Sequence, residues 1–208
     1  MNTKDKILKG WNQYRRKKRW WSITFDFILL ILIIAMLIPA ARKNISTFVI
    51  RKTMLPPRET SKAIILSEND FDIILTDKDG NQNFLSKYID KPLLINFWAT
   101  WCPPCVAELP SLQKLYNKYK DDINFVFIVN EPLEVIENFL QKRKYNIPYY
   151  IMDGIVPDFF ETAIIPTTYL IDNERIILHK TGAARWDLGK VTRIVDELIE
   201  KRKETINY

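Results

Sequence analysis

The two cysteines of the chain, Cys102 and Cys105, are separated only by Pro103 and Pro104. Zinc needs four ligands, and one histidine beside two cysteines cannot supply them. Covalent haem attachment requires a histidine directly after the second cysteine, where this chain has Val106. Redox exchange is therefore the leading use of the pair, and it needs no cofactor beyond the cysteines themselves. The alternative is a static disulfide clip, but that loop is too short to stabilise much.

The pair is predicted to lie where a strand gives way to a helix. Residues 93–98 form a compact apolar run of the buried-strand type, and apolar residues then recur at helical spacing over 106–119. At a helix start the unpaired amides and the dipole favour thiolate, which lowers the pKa of Cys102. We therefore expect Cys102 to attack, and Cys105, one turn deeper, to resolve the mixed disulfide.

The elements around this site predict a layered α/β domain that begins near residue 63. Apolar alternation and turn residues indicate strands, and three- and four-residue apolar spacing indicates helices. The predicted strands are 71–76, a second short strand after the turn at 77–80, 93–98, 123–129, and a hairpin of 167–171 with 175–180; the predicted helices cover 106–119, 133–140 and 188–199.

All the net positive charge lies near the N-terminus. Residues 1–21 carry +7, residues 22–58 carry +4 and the remaining 150 residues carry −5, which gives the total of +6. A basic stretch of this kind beside an apolar run suits an anionic membrane surface. Nucleic-acid binding by the main domain is not expected.

An almost wholly apolar run at residues 20–41 predicts a membrane anchor, because as a helix it would extend about 33 Å. The basic tail of residues 1–19 is then expected to stay in the cytoplasm. Residues 42–62, without clear periodicity, are interpreted as a linker to the domain at 63–208. A cleaved signal peptide is the competing interpretation, although Ile38 and Pro39 stand where small residues are needed.

Two motifs about sixty residues apart carry a family resemblance. The first runs from Asn96 to Cys105 (Asn-Phe-Trp-Ala-Thr-Trp-Cys-Pro-Pro-Cys) and continues in 108–110 (Glu-Leu-Pro); the second is 164–172 (Ile-Ile-Pro-Thr-Thr-Tyr-Leu-Ile-Asp). On these motifs, residues 63–202 resemble the thioredoxin superfamily, in its TlpA/ResA-like membrane-anchored branch. The resemblance implies a thioredoxin-like fold, a central mixed β-sheet flanked by helices, with an N-terminal transmembrane helix.

The resemblance also assigns substrate-contacting residues. Pro166 falls where the superfamily has a cis-proline beside the active-site disulfide, which would expose the Ile165 backbone to an extended substrate segment. The alternative is an ordinary trans proline at the start of a strand. The full set of implied substrate-binding residues is Trp101, Pro103, Pro104, Ile165, Pro166 and Thr167.

Glu108 is implied as a third catalytic residue. In the resembled branch an acid at this position handles the proton of the buried thiol; the alternative is a solvated helix glutamate. Asn96 departs from the buried Asp that is common in the wider superfamily. Trp98 is expected in the core, and His179, the only histidine, is expected to have a surface or hairpin role.

By resemblance, the chain is expected to reduce disulfides of proteins outside the cytoplasm, such as apocytochromes c before haem attachment. Its electrons would come from a membrane thiol carrier of the CcdA or DsbD kind. Two alternatives stay open: a disulfide oxidase or isomerase with the same cysteines, and a tethered binding module with a spectator disulfide.

Overall fold

Two consecutive helices precede the sheets in the computed structural model, which describes residues 20–59, 64–154, 157–160 and 164–206. The predicted cytoplasmic tail, residues 1–19, lies outside these ranges. Helix α1 (Trp20–Leu37) belongs to a unit that ends at Ile45, and a second unit comprises Ser46–Tyr208. Apolar side chains of α1 such as Phe25 and Ile31 are exposed. Among the described residues, no helix is both long enough and apolar enough to cross a membrane.

The region predicted as anchor and linker contains a helix boundary that sequence periodicity did not show. Helix α2 (Pro39–Thr53) begins directly after Ile38. Proline fits the first position of a helix and disfavours helical geometry in the residue before it, which accounts for the break. Most of the predicted linker is therefore helical rather than irregular, and α2 ends shortly before the Pro56-Pro57 pair.

Within the described residues, the domain has two sheets. Strands β1 (Ile74–Thr76), β2 (Gln82–Phe84) and β5 (Ile151–Asp153) form an antiparallel sheet in the order β2-β1-β5. The strands of the other sheet are β3 (Leu93–Phe97), β4 (Asn124–Ile128), β6 (Thr167–Asp172) and β7 (Arg175–Thr181). This sheet has the order β4-β3-β6-β7 and is mixed: β3 and β4 are parallel and the remaining pairs are antiparallel.

In the described part of the domain three α-helices accompany the sheets: α3 (Pro103–Tyr119), α4 (Leu133–Arg143) and α5 (Gly189–Ile206). The thioredoxin-like α/β architecture predicted from sequence is confirmed. One predicted strand is wrong at its start, since 68–71 is a short 3₁₀ helix and β1 begins only at Ile74. Strand β5 was not predicted; it has three residues, and three residues are too few to show a period.

The four-stranded sheet separates two apolar clusters, because side chains alternate across a strand. Leu94 of β3 belongs to the cluster that contains the inner residues of α3, α4 and α5, whereas Leu93 and Ile95 belong to the cluster on the opposite face. Asn96 follows the same alternation as Leu94, and its side chain reaches Glu108 of α3. The sheet thus presents a buried amide to the helix that begins at the cysteines.

Candidate active site

The cysteine pair forms a disulfide at the N-terminus of α3. Cys102 is the N-cap residue and Cys105 lies in the first turn, with their Cα atoms 5.3 Å apart. The Cys105 amide N–H donates to Cys102 Sγ at 3.2 Å, so a helix-start donor points at the sulfur that must carry negative charge. Cys102 is 3% exposed and Cys105 is fully buried. Both cysteines are thus buried, and it is the N-cap position of Cys102, with an amide donor on its sulfur, that fits Cys102 as the attacking sulfur and Cys105 as the resolving one.

The loop before β6 lies against the disulfide. The Ile165–Pro166 peptide bond is cis, as the resemblance implied. The Ile165 carbonyl oxygen is 3.8 Å from Cys102 Sγ. The Thr167 side chain is not available for contact with a substrate, because it is buried and its hydroxyl donates to the Ile164 carbonyl at 2.8 Å.

Exposed apolar side chains lie on both segments beside the disulfide. Trp101, directly before Cys102, is 60% exposed, and Ile164, two residues before the cis-proline, is 59% exposed. Pro103 and Pro104 are half-buried. Of the six residues implied to bind substrate, Trp101, Pro103, Pro104 and Ile165 are accessible to a partner, whereas Pro166 and Thr167 are buried.

Glu108 is a completely buried carboxyl group, so the alternative of a solvated helix glutamate is wrong. Its Oε2 accepts hydrogen bonds from the Ala184 amide at 3.1 Å and Trp186 Nε1 at 3.2 Å. Its Oε1 accepts from Asn96 Nδ2 at 2.9 Å. Burial raises the pKa of Glu108 to about 7 although these three donors act in the opposite direction. A carboxyl of this pKa can take up or release a proton at neutral pH.

Asn96 connects Glu108 to β6. Besides Glu108, its Nδ2 donates to Thr168 Oγ1 at 2.8 Å. Ser111 supports the same network from α3, since the Trp186 amide donates to Ser111 Oγ at 3.1 Å. Sequence reasoning identified Asn96 only as a departure from the superfamily, and it did not find Thr168, Ala184 or Trp186, which lie more than seventy residues from Asn96.

A second carboxylate fixes the loop before the cysteines. Glu131, just after β4, accepts from the Thr100 amide at 2.6 Å and from Thr100 Oγ1 at 2.7 Å. Thr100 comes two residues before Cys102, so this clamp acts on the backbone that carries Trp101. Glu131 was not predicted from the sequence. Its position just after a buried strand, at the end of the sheet where the cysteines lie, could have indicated a role beside them.

The other side chains singled out from sequence have structural positions. Trp98 is buried and packs on Phe139 with ring centroids 5.8 Å apart, which confirms its core role. His179 is exposed on β7 and stacks on Tyr169 at 4.6 Å, away from the chemistry. Within the described parts of the chain, no three His, Cys, Asp or Glu residues are grouped closely enough to hold a metal ion.

Comparison with protein families gives a match to the AhpC/TSA family model over residues 69–180. Among curated proteins, the chain is 36% identical over 104 residues to thiol-disulfide oxidoreductase ResA of Geobacillus kaustophilus, a match that covers 49% of this chain and 60% of that protein. It is 31% identical over 137 residues to ResA of Halalkalibacterium halodurans, covering 64% of this chain and 74% of that protein.

Solved structures share the fold. A secreted Mycobacterium tuberculosis disulfide oxidoreductase, described as homologous to E. coli DsbE, matches with a TM-score of 0.53 and 20% identity over 62% of this chain and 99% of its own. The MTB dsbF structure, in mixed oxidized and reduced forms, matches with a TM-score of 0.51 and 21% identity over 62% of this chain and 96% of its own. At these identities the likeness concerns the fold alone.

Proposed function

We propose that this chain, which belongs to the AhpC/TSA family of thioredoxin-like proteins, is a membrane-tethered thiol–disulfide oxidoreductase that reduces disulfides of proteins outside the cytoplasm. The observation that carries the activity is the Cys102–Cys105 disulfide at the start of α3, with Cys105 buried and the Cys105 amide directed at Cys102 Sγ. A spectator disulfide would not need a buried carboxyl of neutral pKa three residues further along the helix.

The reduction proceeds in two exchanges. In the dithiol form, the Cys102 thiolate attacks one sulfur of the client disulfide, forming a mixed disulfide and releasing the other client sulfur as a thiolate that takes up a proton. The Cys105 thiol then loses its proton, and its thiolate attacks Cys102 Sγ, which releases the second client sulfur as a thiolate that takes up a proton from solvent. The client gains two electrons and two protons, and the enzyme is left with the Cys102–Cys105 disulfide.

Glu108 acts as the base in the second exchange. It is one helical turn beyond Cys105, on the same face of α3. A burial-raised pKa of about 7 makes it able to accept the Cys105 proton near neutral pH and to return it when the disulfide is next reduced. Trp101, Pro103, Pro104 and the Ile165 backbone form the surface on which an extended client segment binds.

The location and the partners are proposed from the sequence. The basic residues 1–19 and the apolar run at 20–41 support a membrane tether with the N-terminus in the cytoplasm and the catalytic domain outside it. The relatives that carry the name ResA support the thiol–disulfide chemistry. Apocytochrome c is the client proposed by resemblance, and a CcdA- or DsbD-like membrane thiol carrier is the proposed electron donor.

The direction of electron flow is tested by the reduction potential of the Cys102–Cys105 pair, measured on residues 46–208 by equilibration with glutathione. A potential below about −230 mV, towards that of thioredoxin, supports the reductase. A potential above about −180 mV contradicts it and makes disulfide formation or isomerisation the function.

The enzyme class is tested by trapping. Cys105→Ser should accumulate mixed disulfides with client proteins in cells, because the resolving thiol is lost while Cys102 still attacks. The Cys102→Ser, Cys105→Ser double variant is the matched control and should capture nothing. If the single variant captures no more client protein than the double variant, the result favours the alternative hypothesis of a tethered binding module.

The location is tested separately with a reporter fused after Tyr208 that is active only outside the cytoplasm. Activity supports the proposed topology. An inactive fusion that is present at normal amounts in the membrane fraction or the cytosol contradicts it.

A further inference from the structure

The hydrogen bonds of Glu108 leave no place for its proton in the observed arrangement. Oε2 faces two N–H groups, the Ala184 amide and Trp186 Nε1, and Oε1 faces the Asn96 Nδ2 group. All three partners are donors, so the network is matched to the carboxylate. When Glu108 is protonated, its O–H needs an acceptor, and a backbone amide or an indole N–H cannot become one.

Asn96 is the only one of these three partners that carries an acceptor. Its side chain is fully buried, and its Oδ1 has no hydrogen-bond partner among the described residues. A half-turn of the amide would exchange the two atoms and place Oδ1 close to the present site of Nδ2, which is 2.9 Å from Glu108 Oε1 and 2.8 Å from Thr168 Oγ1. Oδ1 could then accept from the protonated Oε1.

Thr168 can serve both arrangements. Its hydroxyl oxygen accepts from Asn96 Nδ2 now, and the hydroxyl could instead donate to Oδ1 after the half-turn, because a threonine hydroxyl is both donor and acceptor. In each arrangement one atom of the Asn96 amide lacks a partner: Oδ1 beside the carboxylate and Nδ2 beside the acid. The two arrangements are therefore similar in the number of buried groups they satisfy, and the charge on Glu108 selects between them.

We propose that the Asn96 side chain is a positioning residue whose amide turns over when Glu108 gains or loses its proton, donating to the carboxylate and accepting from the acid. The proposal rests on Glu108 as the proton acceptor of the proposed function. In the reaction, the proton leaves Cys105 for Glu108 Oε1 and the amide half-turn follows, so both members of the acid–base pair are hydrogen-bonded. A buried aspartate at position 96 could not do this, because when charged it has no donor to offer a carboxylate.

The first test follows the orientation of the amide in the oxidised full-length protein by NMR in detergent micelles. The variant Glu108→Gln mimics the acid, because its amide can accept at the Oε2 position and donate towards Asn96. In the wild type at pH 9, the Asn96 Nδ2 protons should show cross-relaxation with the Thr168 methyl group. We expect this signal to be much weaker in Glu108→Gln and in the wild type at pH 5. An unchanged signal in all three samples overturns the proposal.

The second test compares two substitutions that each remove one N–H donor from Glu108. In each oxidised variant, the pH titration midpoint of Glu108 is measured from the chemical shift of its carboxyl ¹³C. Trp186 can only donate, so Trp186→Phe should raise the titration midpoint of Glu108. Asn96 serves both protonation states, so Asn96→Leu should move the midpoint by less than Trp186→Phe does. A larger upward shift in Asn96→Leu would make Asn96 a simple donor and overturn the proposal.

A third variant controls for the loss of a strand asparagine in general. Asn124 lies on the neighbouring strand β4, and its side chain donates to the Tyr88 carbonyl and to Asp90 instead of Glu108. Asn124→Leu should leave the Glu108 midpoint unchanged; an upward shift as large as that in Trp186→Phe would contradict the proposal, because loss of any strand asparagine would then perturb Glu108. Neither test involves client exchange. Failure of the proposed function would appear in the trapping experiment, whereas failure of the amide switch would appear only in these spectra.

Discussion

Glu108 shows how one side chain can connect the stability of this protein to its chemistry. Its carboxyl group is fully buried, and burial outweighs three hydrogen-bond donors in setting its pKa. Because the charged form is disfavoured in the folded protein, the group that we propose as the base also weakens the fold at higher pH. The stability lost at higher pH and the raised pKa therefore have the same cause, the burial of the carboxyl group.

Glu108→Gln should remove part of the pH dependence of stability. A folded-state pKa of about 7, above the ordinary value of 4.5 for a glutamate side chain, means that the folded protein holds the proton more tightly than the unfolded chain. The stabilisation that this tighter proton binding gives to the folded state is fully present below pH 4.5 and is lost as the pH rises through 7. For a pKa shift of this size, the stability lost is about 3 kcal/mol.

Urea unfolding of the oxidised wild type and Glu108→Gln at pH 4.5 and pH 8 measures this difference. We expect the free energy of unfolding of the variant, relative to the wild type, to rise between the two pH values. Parallel pH profiles would show that Glu108 ionises normally in the folded protein.

Trp101→Ala should lower the activity on protein disulfides without lowering the activity on small disulfides. The Trp101 side chain is 60% exposed, so its removal leaves the core intact. We expect kcat/KM for a protein disulfide to fall about tenfold, which corresponds to about 1.4 kcal/mol of lost contact. The rate with a small aromatic disulfide and the reduction potential should stay close to the wild-type values. An equal loss on both substrates would mean that Trp101 acts on the thiols instead of on the client.

At the scale of elements, the active site depends on where α3 begins. Cys102 can be the N-cap because the backbone leaves β3 at Phe97 and enters the helix at Pro103. Of the five residues between them, Thr100 is held by the Glu131 carboxylate, which accepts from both its amide and its hydroxyl. Position and orientation of the attacking sulfur are thus controlled by a residue that follows the neighbouring strand β4.

Glu131→Gln should loosen this connection. A glutamine amide has one acceptor oxygen, so only one of the two Thr100 donors keeps its partner, and we expect a loss of about 1–3 kcal/mol in unfolding free energy. Exchange of the Thr100 amide proton should become faster. Glu134→Gln, an exposed change in the first turn of α4, is the matched control. Equal stability of both variants would show that the clamp does not hold the loop in solution.

At the scale of the whole second unit, the segment before the domain is part of its structure. Glu59 pairs with Leu178 on the outer edge of β7, and the Arg185 amide donates to the Leu55 carbonyl at 3.0 Å. Arg185 lies between Ala184 and Trp186, the two donors to Glu108 Oε2. The segment interpreted as a linker therefore supports the loop that completes the Glu108 network.

A truncation measures this support. Residues 64–208 should unfold at a lower temperature than residues 46–208, since they lose the Leu55 and Glu59 backbone contacts, worth about 1–2 kcal/mol together. The Ala184 amide should also exchange faster in the shorter protein. Identical melting temperatures and exchange rates would show that residues 46–63 are only a tether.

Local patterns in the chain were enough to predict the redox pair and the elements next to it. The cysteine spacing, the apolar run before it and the helical apolar spacing after it placed the redox pair at a strand-to-helix junction, because these signals act between near neighbours. Resemblance over two motifs added the cis bond at Pro166, the thioredoxin-like fold and the importance of Glu108. Short elements such as β5 and the start of β1 were missed or misplaced, since three residues carry no measurable period.

The surroundings of these residues depend on contacts between distant segments and could not be predicted from local patterns. Glu108 has a pKa raised to about 7 because β3 and the loop after β7 bury it among Asn96, Ala184 and Trp186. Glu131 reaches Thr100 from thirty-one residues away because β3 and β4 are parallel neighbours. Burial and hydrogen bonding between distant segments set the pKa of the site, and no local pattern in the chain records which segments will meet.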